Sequence, residues 1–201
     1  MTTERFTDRT FRDWPAVLSK HELLRLTGKS EDTLKVSLHR WVKKGVLKKA
    51  GERAGMYYNL MADPVWQNHV LEAVEKKFPS AILAGPNVLH AHGLQTQIPG
   101  SFHVAVLQQR SLPDMEGVHW LPRPKKWFAA FVPTEVLYGI RSLSPKQALE
   151  DAWIHQHVSN AWVPDWDDID VEDCPDITLD DLERWKTVRA PLVATPRLLL
   201  R

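Results

Sequence analysis

The segment Gly28-Lys29-Ser30 has the residue types that close a phosphate-binding loop. Such a loop reads G-x-x-x-x-G-K-[ST], because a glycine-rich backbone has to wrap around the phosphates. The first glycine of that pattern would fall at position 23, which is Leu23, and residues 23–27 have the pattern of an amphipathic helix. The spacing therefore excludes a nucleotide-binding loop and favours a turn between two helices.

An acidic run near the C-terminus has the spacing at which a calcium-binding loop begins. Asp165, Asp167, Asp168 and Asp170 follow one another closely, but no glycine occupies the sixth position of the loop. The twelfth position is Asp176, where such a loop needs a glutamate that binds through both oxygens. The calcium-loop pattern therefore fails.

The histidines and the cysteine do not form a metal-binding or nucleophilic motif. The pairs His90/His92 and His155/His157 lack an H-E-x-x-H spacing or an accompanying cysteine cluster. Residues two apart on a helix point about 200° away from each other, so neither pair is arranged to share a metal. Cys174 lies among acidic residues, which we expect to raise its pKa and to oppose a nucleophilic role. We predict no catalytic residue, no metal and no cofactor.

Bulk properties point to a cytoplasmic protein of one or two domains. The chain has 201 residues and a single cysteine, which rules out an internal disulfide and fits a reducing compartment. It has no run of about 18 apolar residues, so we expect no transmembrane helix. The charged N-terminus lacks the apolar centre of a secretory signal.

The net charge of +1 conceals a division along the chain. Residues 1–62 contain thirteen Lys/Arg and seven Asp/Glu, a balance of +6, whereas residues 63–201 contain thirteen and eighteen, a balance of −5. A basic N-terminal part is typical of proteins that bind a polyanion.

Two short helices are expected in this basic part. Ser19 and Glu22 form an S-x-x-E capping box, which predicts a helix from about Lys20 to Leu26. The segment 27–29 supplies the turn, because glycine adopts the left-handed conformation that ends many helices. Ser30 then caps a second helix that runs to about Lys44 and ends at Gly45. One stripe of this second helix is apolar and predicted to be buried: Leu34, Leu38, Trp41 and Val42.

A basic hairpin is expected to follow the second helix. Val46-Leu47 and Met56–Tyr58 have strand character, and residues 51–55 are expected to form the loop between them. Helix, turn, helix and basic hairpin in this order predict a winged helix-turn-helix domain over residues 1–62. A small helical hairpin with solvated charges is the alternative.

In a winged helix-turn-helix, the second helix enters the major groove of DNA. Its first turns would contact base edges, while lysine and arginine on its end and on the hairpin would pair with phosphates. The predicted DNA-binding residues are Ser30, Thr33, Val36, Ser37, His39, Arg40, Lys43, Lys44, Lys48, Lys49 and Arg53.

The rest of the chain predicts a mixed α+β domain over residues 63–162. We expect helices over 65–78, in the segment that ends at Gly93, and after the cap Ser144. The segments "FHVAVL", "GVHWLP" and "WFAAFVP" are expected to be strands, with turns over 110–117 and 123–126. Residues 163–201 form an acidic extension with ten acids before its first base, Arg184. This extension either packs through its tryptophans as a solvated tail or folds over the basic hairpin and competes with DNA.

Two segments carry a family resemblance: "NVLHAHGLQTQIPGSFHVAV" at 87–106 and "VLYGIRSLSPKQALEDA" at 136–152. Together with the helix-turn-helix pattern they resemble the AbiEi family over roughly residues 16–153. The most specific parts are H-G-L followed by proline and a strand, and the S-P-x-x-A-L-x-D-A helix. The chain departs from the usual S-P-E-R-A-L-L-D at Lys146, Gln147 and Glu150.

The AbiEi resemblance implies an antitoxin of an abortive-infection, type IV toxin–antitoxin system. Such proteins pair a winged-helix DNA reader with an α+β domain that carries the antitoxic activity. They repress their own operon by binding inverted repeats in the promoter, for which dimeric or cooperative binding to double-stranded DNA is expected. The adjacent gene encodes a nucleotidyltransferase toxin, whose effect the antitoxin counteracts without needing a stable complex.

Two other classes remain as alternatives. A nucleotidyltransferase enzyme would need D-x-D on a strand to hold two metal ions, and "FHVAVL" contains no aspartate. A winged helix used for protein contacts, or a regulator that is no antitoxin, stays open. Salt-sensitive DNA binding would distinguish a DNA reader from a protein-interaction module.

Overall fold

The computed structural model describes residues 8–158, 161–171 and 174–187, and these form a mixed α/β chain with two compact units. Unit 1 comprises the described residues up to Ala81, together with Gln109–Trp120 and Tyr138–Ile140. Unit 2 comprises Ile82–Gln108, Leu121–Leu137 and the described residues from Arg141 onward. The ends of the predicted first and last domains, residues 1–7 and 188–201, lie outside the described residues.

The N-terminal part of unit 1 alternates short helices and strands. Its elements are α1 (Asp8–Arg12), β1 (Val17–Ser19), α2 (Lys20–Thr27), α3 (Glu31–Lys43), β2 (Leu47–Lys49), β3 (Gly51–Glu52), β4 (Met56–Asn59), a 3₁₀ turn (Trp66–His69) and α4 (Val70–Lys77). Strands β1, β4 and β2 form an antiparallel sheet in that order, with Tyr58 paired to both Val17 and Lys48. The two predicted hairpin strands are confirmed, whereas β1 was not predicted.

Local capping explains where α2 and α3 begin and end. The Ser19 N–H donates to Glu22 Oε2 at 2.7 Å and the Glu22 N–H donates to Ser19 Oγ at 3.1 Å, so the predicted capping box is confirmed. Gly28 ends α2 with φ of 61°, and its N–H donates to Leu24 O at 3.0 Å. Ser30 accepts from the Thr33 N–H as the cap of α3. The predicted turn between two helices is therefore confirmed.

The core of unit 1 lies between the two helices and the sheet. Leu23 of α2 and Leu34 and Leu38 of α3 are buried against Phe11 and Leu47. Trp41 and Val42 are partly buried beside them, which confirms the predicted apolar stripe of α3. Burial of such side chains contributes roughly 1.5–3 kcal/mol each, and this packing fixes which face of α3 remains in solvent.

The later elements alternate strands with helices. They are β5 (Ile82–Leu83), α5 (Pro86–Ala91), β6 (Phe102–Leu107), β7 (Asp114–Met115), β8 (Val118–Arg123), α6 (Lys125–Ala130), β9 (Glu135–Leu137), β10 (Ile140–Ser142), α7 (Pro145–His155) and α8 (Leu179–Thr187). A five-stranded sheet has the order β8-β6-β5-β10-β9, in which β5 is antiparallel to β6 and parallel to β10. The mixed α/β class, the strands at 102–107 and 118–123 and the Ser144-capped helix are confirmed.

One predicted strand is wrong. The segment "WFAAFVP" begins inside helix α6, and the predicted turn over 123–126 is divided between the end of β8 and the start of α6. The Phe131 N–H donates to Trp127 O at 2.8 Å, and the two rings stack with centroids 5.0 Å apart. A short apolar run fits a strand or a buried helical turn equally, so its periodicity did not distinguish them.

The described part of the acidic extension packs within unit 2. Trp185 of α8 is buried and its ring centroid lies 5.8 Å from that of Trp166. The Lys146 ammonium on α7 pairs with Asp181 at 2.9 Å. The extension thus packs through its tryptophans, and the hypothesis that it competes with DNA stays a prediction. Among the described residues, no helix combines the length and the apolar character needed to cross a membrane.

Candidate nucleic-acid interface

The solvent face of α3 carries most of the predicted base-contacting side chains. Thr33, Val36, His39, Arg40 and Lys43 are all exposed, and they recur at intervals of three or four residues, so they share one side of the helix. Val36 is 54% exposed and offers methyl groups between polar neighbours. Lys44 is also exposed at the C-terminal end. The arrangement combines hydrogen-bonding, apolar and cationic groups on one solvent-facing helix surface.

Two predicted contact residues serve α3 itself. The Ser30 hydroxyl caps the helix and lies 2.9 Å from the Thr33 hydroxyl. Ser37 is buried, so its side chain is not exposed for the base contact that the sequence predicts for it. Its hydroxyl donates to Thr33 O at 2.9 Å and accepts from Lys29 Nζ at 2.6 Å. At 100° per residue, position 37 falls beside Leu34 and Leu38, so the sequence already placed it on the apolar stripe.

Lys48 of β2, a predicted phosphate contact, is already paired within the protein. Its ammonium lies 2.8 Å from the Glu116 carboxylate and 3.5 Å from the centroid of the Trp66 ring. An ion pair and a cation–π contact therefore hold the same charge within unit 1. Lys49, by contrast, has only a 3.5 Å contact with Glu52, and both side chains are more than half exposed. Such an exposed pair competes weakly with another anion.

The segment Gln109–Trp120, which we call the strap, pairs with the tip of the hairpin. Its strand β7 is antiparallel to β3, with Gly51 opposite Met115 and Glu52 opposite Asp114. A Cβ atom on Gly51 would overlap the Asp114 carbonyl, so glycine is required for this close approach. The predicted loop over residues 51–55 is therefore partly a paired strand, and its tip is held rather than free.

Unit 2 contains a buried ionic cluster around Asp151. Asp151 accepts from Arg123 Nη2 at 2.7 Å and from Trp127 Nε1 at 2.6 Å, and its Oδ1 lies 2.9 Å from His155 Nδ1. Burial opposes ionisation of Asp151, but hydrogen bonds from His155 and Arg123 outweigh it and hold the pKa of Asp151 below its ordinary value. Because Arg123, Trp127 and Asp151 are buried, this cluster joins β8, α6 and α7 and does not face a substrate.

The remaining candidates for chemistry are engaged within the fold. His90 Nδ1 lies 3.2 Å from Gln95 O, and His92 Nε2 lies 2.7 Å from Glu135 Oε2. In the described ranges, no group of three or more His, Cys, Asp or Glu is placed to hold a metal ion. Burial, with smaller effects from nearby carboxylates, raises the pKa of Cys174. The predicted direction of this shift is confirmed, but its larger cause is burial.

Comparison with known proteins gives a fold but no family. No protein-family model matches the chain, and no curated protein matches it. The chain is similar to the crystal structure of the RV2827C protein from Mycobacterium tuberculosis, with a TM-score of 0.57 and 18% sequence identity. The similarity covers 89% of this chain and 69% of the mycobacterial chain. At this identity it shows a shared fold alone.

Proposed function

We propose that the N-terminal part of unit 1 is a winged helix-turn-helix that binds double-stranded DNA, with α3 as the recognition helix. The observation that carries this proposal is the division of α3 into two sides. Leu34 and Leu38 fix one side in the core, while Thr33, Val36 and Arg40 remain exposed on the other. A helix with one anchored side and one mixed polar and basic side suits the major groove, where side chains read base edges.

Charge supports the same function. Residues 1–62 carry a balance of +6. Arg40, Lys43 and Lys44 are exposed towards the C-terminal end of α3, and Lys49 and Arg53 are exposed on the hairpin. Cations in these two places would neutralise phosphates on either side of a groove, which supplies most of the salt-dependent affinity of a DNA-binding protein.

The exposure of Val36 favours recognition of DNA bases over binding to the DNA backbone alone. An exposed valine between Thr33 and Arg40 contributes no electrostatic attraction. In a major groove it offers an apolar surface for the thymine methyl group, and Arg40 offers a bidentate donor for guanine. A purely electrostatic DNA-binding surface has no use for such a residue.

We further propose that the chain is an AbiEi-type antitoxin and autorepressor that acts in the cytoplasm. This rests on the resemblance of residues 87–106 and 136–152 to that family. The two segments contain α5 and α7, which pack on each other, and the acid of the family helix is Asp151 of the buried cluster. In this proposal the chain represses its own promoter and counteracts a nucleotidyltransferase toxin, without requiring direct contact with it.

The test is a titration of the purified protein against DNA from upstream of its own gene, at two salt concentrations, with scrambled DNA of equal length alongside. We expect tighter binding to the upstream fragment and weaker binding at the higher salt concentration. Specific binding usually reaches Kd values of about 10⁻⁸ to 10⁻¹¹ M. Equal and weak binding to both fragments would contradict the proposal and favour a protein-interaction module.

A further inference from the structure

A hollow opens at the tip of the hairpin, among residues 49–57, and we call it the hairpin hollow. Its volume is about 260 Å³. The residues that line it are Lys49, Gly51, Glu52, Arg53, Gly55, Met56 and Tyr57. A Cβ atom on Gly55 would contact nothing within 4 Å, so a ligand can approach the backbone closely there, whereas Gly51 is covered by Asp114 of the strap.

The hollow brings together hydrogen-bond donors that the protein does not use. Within the described residues, neither the Arg53 guanidinium nor the Tyr57 hydroxyl has a hydrogen-bond partner. Lys49 has only the long contact of 3.5 Å with Glu52. A guanidinium and an ammonium have no acceptor atoms, so the group that completes this site must be an acceptor.

The phenol of Tyr57 acts as a donor under ordinary conditions. Burial raises the pKa of Tyr57, against the opposing effect of the Lys49 and Lys20 ammonium groups, so the hydroxyl keeps its proton at neutral pH. Glu52 is exposed on the rim and offsets only part of the positive charge of Lys49 and Arg53. The hollow is therefore a net positive cavity with several donors.

We propose that the hairpin hollow is a phosphate-binding site in which Arg53, Lys49 and the Tyr57 hydroxyl hold one phosphate group. Arginine and lysine form charge-assisted hydrogen bonds with phosphate, and the guanidinium can supply two parallel ones. The volume accommodates a phosphate together with an attached sugar. The phosphate comes either from the backbone of bound DNA or from a free phosphorylated molecule. The DNA source rests on the proposed function, whereas phosphate binding itself does not.

Arg53 allows a side-chain deletion that does not strain the backbone. Its φ is 62°, a left-handed conformation that glycine adopts more readily than any other residue. Arg53→Gly therefore removes the guanidinium without requiring a new backbone conformation. The thermal stability of this variant should not fall below that of the wild type. Tyr57→Phe removes one hydroxyl and keeps the ring. Lys77→Ala is the control for loss of a positive charge, because Lys77 is exposed on α4 in the same unit.

The first experiment titrates inorganic phosphate into the full ¹⁵N-labelled chain, with sodium chloride of matched ionic strength as reference. We expect saturable shifts of the amide signals of residues 51–57 in the wild type and in Lys77→Ala. We expect these shifts to be lost in Arg53→Gly and to need several-fold more phosphate in Tyr57→Phe. Shifts no larger than those produced by chloride would overturn the proposal.

The second experiment repeats the upstream-DNA titration with the same variants and identifies the source of the phosphate. If it is the DNA backbone, Arg53→Gly weakens binding about tenfold and lowers the salt slope by about one unit, whereas Tyr57→Phe weakens binding about threefold with no change in slope. Unchanged DNA affinity together with phosphate-induced shifts assigns the site to a free phosphorylated ligand.

The two proposals fail separately. If the wild type shows no phosphate-induced shifts and both variants keep specific DNA binding, the proposed phosphate site is refuted and the proposed function stands. If the wild type does not bind DNA specifically, the proposed function is refuted. The phosphate titration then still shows whether the hollow binds phosphate.

Discussion

The Lys48 ammonium and the Glu116 carboxylate lie 2.8 Å apart, although 68 positions separate them in the sequence. Glu116 belongs to the strap, and Trp66 covers the same ammonium. One of the lysines expected to meet DNA is thus neutralised by the protein itself. The strap limits the positive charge that the hairpin presents.

Glu116→Gln should therefore strengthen DNA binding. Without its carboxylate partner, Lys48 becomes available to a phosphate, and the salt slope should rise by up to about one unit. The free energy of unfolding should fall by less than about 1 kcal/mol, because both side chains are partly exposed. Binding titrations at four salt concentrations measure the slope. Glu75→Gln, on the exposed side of α4, removes an equal charge as control, and an equal effect of both substitutions would contradict this prediction.

Gly51→Ala should separate the strap from the hairpin. The new Cβ overlaps the Asp114 carbonyl, which is backbone and cannot rotate away, so we expect a loss of about 1–3 kcal/mol in the free energy of unfolding. Urea denaturation measures the loss, and amide hydrogen exchange at Met115 should accelerate. Gly100→Ala is the matched control, because a Cβ there contacts nothing and φ is not positive. Equal stability of the two variants would refute the close pairing of β3 with β7.

Asp151→Asn should destabilise unit 2 by about 3–5 kcal/mol, since it leaves the buried Arg123 charge without a partner. In the wild type, the folded pKa of Asp151 lies below the unfolded value of about 3.9. Its contribution to stability is therefore present above that value and is lost as the pH falls through the folded pKa. Urea denaturation of both proteins between pH 3 and pH 7 should show the difference shrinking at low pH. Asp168→Asn, at an exposed site, should change stability by less than about 0.5 kcal/mol.

On α3, the two sides should respond differently to substitution. Arg40→Ala and Lys43→Ala should each lower the salt slope of DNA binding by about one unit and leave stability nearly unchanged, because both side chains are exposed. Ser37→Ala should cost about 1 kcal/mol of stability through its lost hydrogen bonds but leave the slope unaltered. Salt-dependent titrations and thermal unfolding of the three variants provide the comparison. An unchanged slope in both Arg40→Ala and Lys43→Ala would show that α3 does not face the phosphates.

The features that were best predicted from the sequence depend on residues close together in the chain. The Ser19–Glu22 capping box, the left-handed Gly28 and the Ser144 cap all arise from contacts within a few positions. The apolar stripe of α3 is equally local, since helical geometry alone places Leu34 and Leu38 together. These elements and their boundaries could be inferred without knowledge of the tertiary structure.

Features that depend on distant segments were not predictable in the same way. The strap residues have no pattern that predicts pairing with Gly51, because the pairing depends on backbone proximity and on the absence of a side chain. The role of Asp151 was hidden for a similar reason, since its partner Arg123 is 28 positions away. For Lys48, the positive charge is evident from the sequence, but its pairing with Glu116 depends on the tertiary structure.

The position of the strap in the chain has a consequence for folding during synthesis. Residues 17–59 contain all three strands of the first sheet, so the sequence of that sheet is complete before the strap is synthesised. Strand β3 acquires its partner only after Met115 has left the ribosome. A nascent chain that ends before residue 114 therefore carries a hairpin whose tip is unpaired and whose Lys48 has not met Glu116. Such an intermediate would present more positive charge than the finished protein.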